Sequence, residues 1–228
     1  MTESLSNQLL DAAVMHVPFD GWTDPAFKAA VADVGVDMVL ARGLFPRGAL
    51  DLAIAYHKRG DAEMIQRFEN TDTSAMKIRE KVTFAVRARI EAVDDREVVR
   101  RGTVLFALPQ NAPEGAKLIW GTADAIWGLL GDTSRDINWY SKRATLSAVY
   151  SSTVLFWLGD DSAGYESTWA FLDRRIEDVM RIEKAKAQVK NSPFLSKLMA
   201  GPAKLFETVK APDPVEPRDL PGGWTAPR

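Results

Sequence analysis

Hydrophobic residues recur along this chain with the spacing of an α-helix, and almost no segment alternates with the period of two that marks a strand. Glycine and proline residues separate the helical stretches, and aspartates stand at several of their starts, as helix caps do. The pattern predicts an all-α fold with helices at 4–16, 24–34, 36–42, 47–59, 74–93, 96–108, 113–130, 137–158 and 163–189.

A further amphipathic segment follows these helices near the end of the chain. Its apolar side chains fall close to one helical face, with lysines beside it: Phe194, Lys197, Leu198, Lys204, Leu205, Phe206 and Val209. The pair Gly201-Pro202 predicts a kink in the middle. Such a helix either packs on the core or lies on a membrane surface. Residues 211–228 hold five prolines and are predicted to be disordered.

Composition narrows the class of protein. The 228 residues are 46% hydrophobic and 26% charged with a formal net charge of −2, which is typical of a globular domain. No stretch approaches the roughly 20 apolar residues of a membrane span. The absence of cysteine excludes disulfides and thiolate metal sites. Five of the seven tryptophans lie between residues 120 and 169, where they either fill a core, the favoured interpretation, or line an apolar cavity.

The residue types that catalysis requires are scarce. The two histidines, His16 and His57, have no second histidine at metal-binding spacing, and no phosphate-binding glycine loop is present. Asp132 and Asp136 stand just before a predicted helix, where carboxylates cap free backbone amides. We therefore predict no enzyme activity, no metal and no cofactor.

The first three predicted helices have the layout of a helix-turn-helix, with a Gly35-Val36 turn before a short third helix. A helix that reads DNA needs donors toward the bases and basic residues toward the phosphates. Here the third helix is mostly apolar, and residues 1–60 hold five basic against seven acidic side chains. The shape of the motif is present without the charge of a duplex binder, so no nucleic acid is expected as a partner.

Two stretches of the C-terminal half carry a resemblance to a known family: NWYSKRA at 138–144 and TWAFLDRRIEDVM at 168–180. In order and spacing, residues 108–179 are similar to the coenzyme Q (ubiquinone) biosynthesis accessory proteins, which have a TetR-like fold. The resemblance implies four parts: a helix-turn-helix-like unit at 1–46, a helical lipid-binding domain at 47–190, a membrane-associating helix at 191–210 and a disordered tail at 211–228.

The resemblance also implies two sites, carried over by position. The first is an exposed patch that binds a partner enzyme, formed by Asp124, Ile126, Asp136, Trp139 and Tyr140. The second is an apolar cavity for a lipid tail, lined by Phe106, Trp120, Trp127, Leu146, Tyr150 and Trp157. The family's terminal amphipathic helix matches residues 193–209, which favours a membrane surface over packing on the core.

The implied function is that of a non-enzymatic accessory protein. It would bind an isoprenoid quinone intermediate or a phospholipid and present it to a quinone hydroxylase, the demethoxyubiquinone hydroxylase. The fold implies a homodimer through the last two core helices. The absence of a transit peptide favours the bacterial cytoplasmic membrane, with the matrix side of the mitochondrial inner membrane as the location in a eukaryote. The alternative is a TetR-like regulator that senses a hydrophobic ligand.

Overall fold

The computed structural model describes residues 4–93, 95–191 and 210–212. Within these ranges the chain is helical and contains no strand, as the hydrophobic pattern predicts. A short 3-10 helix, Ala163–Tyr165, precedes the last α-helix. The α-helices are α1 Leu5–Asp20, α2 Asp24–Val34, α3 Met38–Leu44, α4 Ala49–Glu69, α5 Ile78–Glu91, α6 Arg96–Ala107, α7 Ala112–Leu129, α8 Ile137–Leu158 and α9 Glu166–Asn191.

Helix bounds match the prediction where the signal for them is local. Helix α8 begins at Ile137 because the Asp136 carboxylate accepts a hydrogen bond from the Asn138 backbone N–H at 3.0 Å. Helix α2 ends at Val34 and is capped by Gly35, whose φ of 72° is left-handed and suits glycine.

Two helices extend well beyond their predicted ends, α1 by four residues and α4 by ten. Helix α1 continues past Pro18 to Asp20, so the proline lies inside its last turn and does not end it at once. Helix α4 continues past Arg59 to Glu69, with Gly60 in its interior. The glycine is needed there because the Arg89 side chain from α5 lies against it: an added Cβ would stand 2.5 Å from the Arg89 Nη1 atom.

Two other helices start later than predicted because of side-chain caps. The Asp37 carboxylate accepts from the Val39 N–H at 2.7 Å and delays α3 to Met38. The Glu80 carboxylate accepts from the Lys77 N–H at 2.7 Å and sets the start of α5 at Ile78.

Helix α4 connects two apolar clusters. Its first half packs with α1–α3, where Leu9, Phe27 and Leu52 are fully buried. Its second half packs with α5, α7, α8 and α9 around residues such as Met64 and Leu172. The predicted boundary at residue 46 falls in the loop before α4, and apolar contacts cross it.

Candidate functional site

A cavity of about 420 Å³ lies between the two clusters. Helices α4 to α8 all contribute to its wall, and most of the side chains that face it are apolar. The volume falls within the range of small-ligand sites, roughly 300–1,000 Å³. The lining residues are Trp22, Ala53, Tyr56, His57, Arg89, Ile90, Val93, Val98, Val99, Gly102, Thr103, Phe106, Ala107, Ala112, Gly115, Ala116, Leu118, Ile119, Tyr150, Ser151, Val154, Leu155 and Trp157.

Half of the predicted lining residues face this cavity. Phe106, Tyr150 and Trp157 line it. The other three do not, because each packs elsewhere. Trp120 packs against the rings at the start of α8. Leu146 lies in the apolar cluster that includes Met64 and Leu172. Trp127 donates its indole N–H to the Lys142 carbonyl at 3.1 Å. The lining prediction is thus corrected for Trp120, Trp127 and Leu146.

One part of the cavity wall is charged, which sequence reasoning missed. Arg89 is only 5% exposed. Its Nε donates to the Asp61 Oδ1 at 2.6 Å, and its Nη2 donates to the His57 carbonyl at 2.9 Å. The His57 Nε2 lies 2.9 Å from the Thr122 hydroxyl, which in turn donates to Asp61 at 2.9 Å. The available signal was the position of Arg89, three residues after buried Val86 on the apolar stripe of α5.

Burial determines the charge of the titratable groups in this network. Burial and the nearby Arg89 guanidinium lower the pKa of His57 from 6.5 to about 4, so its imidazole is neutral at physiological pH. Burial likewise raises the pKa of the Tyr150 phenol, which therefore stays protonated. The network holds one cation, Arg89, and one anion, Asp61.

Three aromatic rings meet where α7 faces the start of α8, and we call Trp120, Trp139 and Tyr140 the aromatic patch. The Trp139 and Tyr140 rings pack edge to face with centroids 4.8 Å apart. The Trp120 ring lies 5.9 Å from Trp139 and 6.4 Å from Tyr140. All three side chains are half-buried. Adjacent α8 residues thus share one patch because a ring of α7 packs against both.

An ion-pair network around the buried Arg143 and Asp132 side chains holds the aromatic patch in place. The Arg143 guanidinium lies 4.0 Å from the Trp139 ring centroid and bonds both Asp124, at 2.5 Å, and Asp132, at 3.1 Å. Lys142 also donates to Asp132 at 2.7 Å. Burial alone would raise the pKa of Asp132, but hydrogen bonds from Lys142, Ser134 and Arg143 lower it well below its usual range. The loop before α8 is therefore anchored beneath the patch.

The predicted patch residues have different environments. Asp124 is exposed on α7 and pairs with Arg143, while Asp136 is exposed and caps α8. Ile126 is fully buried in the core, which corrects its assignment to an exposed surface. The reason is helical spacing, since Ile126 lies two positions after Asp124 and so faces the opposite side of α7.

Residues after the terminal segment reach the aromatic patch. The Tyr140 hydroxyl donates to the Lys210 carbonyl at 3.2 Å, and the Ala211 N–H donates to the Arg135 carbonyl at 3.0 Å.

The predicted membrane contacts (Phe194, Lys197, Leu198, Lys204, Leu205, Phe206 and Val209) lie outside the described residues. Among the helices that are described, none is both long and apolar enough to cross a bilayer. The described ranges also contain no histidine and carboxylate cluster suited to a metal.

The helix-turn-helix-like unit lacks a polar surface on its third helix. Val39 is 80% exposed and Leu40 is 52% exposed on α3. The basic residue of this helix, Arg42, is engaged by the Asp24 carboxylate at 2.5 Å and lies over the Phe27 ring at 4.6 Å. The exposed surface of α3 thus carries large apolar side chains, whereas a DNA reader needs hydrogen-bond donors toward the bases.

Residues 112–183, which cover α7, α8 and much of α9, match the protein-family model described as COQ9. This resemblance to the COQ9 family is confirmed. The chain is 29% identical over 191 residues to "Ubiquinone biosynthesis protein COQ9, mitochondrial" of Drosophila melanogaster, covering 82% of this chain and 58% of that protein. It is 28% identical over 198 residues to the Homo sapiens protein of the same name, covering 83% and 62%. The match thus spans less than two thirds of these COQ9 proteins.

A solved structure shows the same fold. The crystal structure of a TetR transcriptional regulator from Nitrosomonas europaea ATCC 19718 superposes with a TM-score of 0.64 at 19% identity. The superposition covers 77% of this chain and 97% of the regulator. The COQ9-like chain therefore has the TetR-like all-α fold that the resemblance implies.

Proposed function

We propose that this COQ9-like chain is a lipid-binding accessory protein of ubiquinone biosynthesis, which holds an isoprenoid quinone intermediate and presents it to a quinone hydroxylase. The observation that carries the proposal is the apolar cavity of about 420 Å³ lined by helices α4 to α8. The aromatic patch, where α7 faces the start of α8, is a second feature that the proposal uses. The names of the relatives support the pathway. Because the cavity has the size of a small-ligand site, a long polyprenyl tail would extend beyond it.

The proposed action is physical and involves no catalysis by this chain. Moving a prenyl tail from lipid to an apolar cavity gains little free energy, because both environments are equally apolar. The protein would therefore position the head group and give the enzyme access to it. The aromatic patch supports this docking role, since Trp and Tyr are the residue types enriched in interface hot spots. The client we propose is the demethoxyubiquinone hydroxylase.

The same proposal includes a membrane and a second subunit. Residues 193–209 would contact the surface of the inner membrane, mitochondrial as in the names of the relatives or the cytoplasmic membrane of a bacterium. A homodimer would form through α8 and α9, where Leu155 is exposed and Phe156 stacks on Phe171 with centroids 4.6 Å apart.

The test fills the cavity and measures the bound lipid. Gly102 lines the cavity on α6, and an added Cβ there would meet only the Trp22 indole nitrogen, at 3.6 Å. A Gly102→Leu variant should therefore fold and occupy the space that a lipid needs. Gly121→Leu is the matched control, because Gly121 is exposed on α7, does not line the cavity and has open space around it.

Lipids extracted from the purified proteins would be identified by mass spectrometry. A quinone or isoprenoid found in the wild type and in Gly121→Leu, and lost in Gly102→Leu, would support the proposal. Wild-type protein that carries no lipid and takes up none from quinone-containing vesicles would make the cavity a packing defect of the core and refute the lipid-binding role.

A further inference from the structure

A buried cation in an apolar cavity would ordinarily attract an anionic head group. Arg89 is such a cation, since its side chain faces the cavity and is almost fully buried. Its charge is already matched, however, by Asp61, whose Oδ1 lies 2.6 Å from the Arg89 Nε. Asp61 belongs to α4 and does not line the cavity, so it neutralises Arg89 without filling the ligand space.

The remaining polar groups of this wall carry no net charge. The His57 ring lies 2.9 Å from the Thr122 hydroxyl, and burial together with Arg89 keeps its imidazole neutral at physiological pH. The Tyr150 phenol, whose ring lies 5.9 Å from the Arg89 guanidinium carbon, is also neutral. The polar end of the cavity is therefore able to form hydrogen bonds while its formal charges cancel.

We infer that the Arg89–Asp61 pair makes this cavity select ligands with a neutral, hydrogen-bonding head group and reject carboxylate or phosphate head groups, and that Asp61 is the residue that determines the selectivity. The inference rests on the proposed lipid-binding function. An anionic head group beside Arg89 would be buried near the Asp61 carboxylate and would lack a free cation as partner. A phenol or a quinone carbonyl requires only hydrogen bonds.

The test compares two probes of equal chain length, decanol and decanoate, at neutral pH where the carboxylate is ionised. Binding of each probe to the purified full chain would be measured by calorimetry, and the decanol-to-decanoate ratio of dissociation constants removes the contribution of the alkyl chain. In Asp61→Asn the Arg89 charge is no longer matched by a carboxylate. The affinity for decanoate should therefore rise at least about tenfold relative to the affinity for decanol. The affinity for a decyl-substituted benzoquinone, which is also uncharged, should change between the variants as the affinity for decanol does.

Two further variants complete the design. Asp11→Asn is the matched control: it removes the same charge from an exposed ion pair with Arg59, away from the cavity, and should leave the ratio unchanged. Arg89→Gln leaves Asp61 unmatched and should shift the ratio in the opposite direction, by about tenfold against decanoate. If Asp61→Asn fails to fold, Arg89→Gln still tests the inference.

The outcomes separate this inference from the proposed function. Binding of both probes with a ratio that neither Asp61→Asn nor Arg89→Gln changes would overturn the inference and leave the lipid-binding role intact. Absence of binding by decanol, decanoate and the benzoquinone in the wild type would overturn both. Opposite shifts in the two variants, with none in Asp11→Asn, would support the inference.

Discussion

Acidification below neutral pH is expected to destabilise this fold through His57. In the folded chain the pKa of His57 is lowered from 6.5 to about 4, first by burial and then by the Arg89 guanidinium. In the unfolded chain the imidazole regains its ordinary pKa. Between these two values the unfolded state binds one more proton than the folded state, so the free energy of unfolding decreases as pH falls.

The size of the effect follows from the difference between the two pKa values. One pKa unit corresponds to about 1.4 kcal/mol, so the shift from 6.5 to about 4 costs about 3 kcal/mol once the pH has fallen to the lower value. The groups with lowered carboxyl pKa values act in a different window. The stabilisation that ionised Asp132 and Asp160 give the fold is lost only as pH falls below the ordinary aspartate pKa of 3.8.

Urea unfolding followed by tryptophan fluorescence, at a series of pH values from neutral to about 4.5, would measure this decrease. His57→Gln retains a hydrogen-bonding side chain and cannot titrate, so its free energy of unfolding should change far less over the same range. A His57→Gln variant with the same slope as the wild type would show that another group is responsible and would refute the reasoning.

Two further predictions concern the aromatic patch and the interior of α4. Trp139→Ala should weaken binding of the hydroxylase by at least about 30-fold in a calorimetric titration, because hot-spot truncations cost about 2 kcal/mol or more. Phe19→Ala, a change at an aromatic side chain that is 83% exposed on α1, should have no effect, and equal losses in both would remove the patch from the interface. Gly60→Ala should lower the free energy of unfolding by about 1–3 kcal/mol, since its Cβ would clash with the buried guanidinium from α5. Gly43→Ala, a helical glycine with open space around it, should be neutral or stabilising, and a stabilised Gly60→Ala would contradict the packing described for α4.

The sequence by itself determined the features whose causes are local. The all-α class follows from the 3.6-residue spacing of apolar side chains, and the bounds of α8 follow from the Asp136 cap and Gly159. The segments NWYSKRA and TWAFLDRRIEDVM were sufficient to indicate the family. These signals involve residues only a few positions apart, so no knowledge of distant contacts was needed.

Only the tertiary structure decided which side chains meet across the fold. Gly60 resembles a helix end in the sequence, yet it lies inside α4, where Arg89, 29 positions later in the chain, occupies the space that a larger side chain would need. The sequence predicts both Trp120 and Phe106 to line a cavity. The packing of α7 against the start of α8 places Trp120 in the aromatic patch, whereas Phe106 on α6 faces the cavity. Periodicity shows that a helix face is buried but not which helix covers it, since that depends on contacts between residues far apart in the chain.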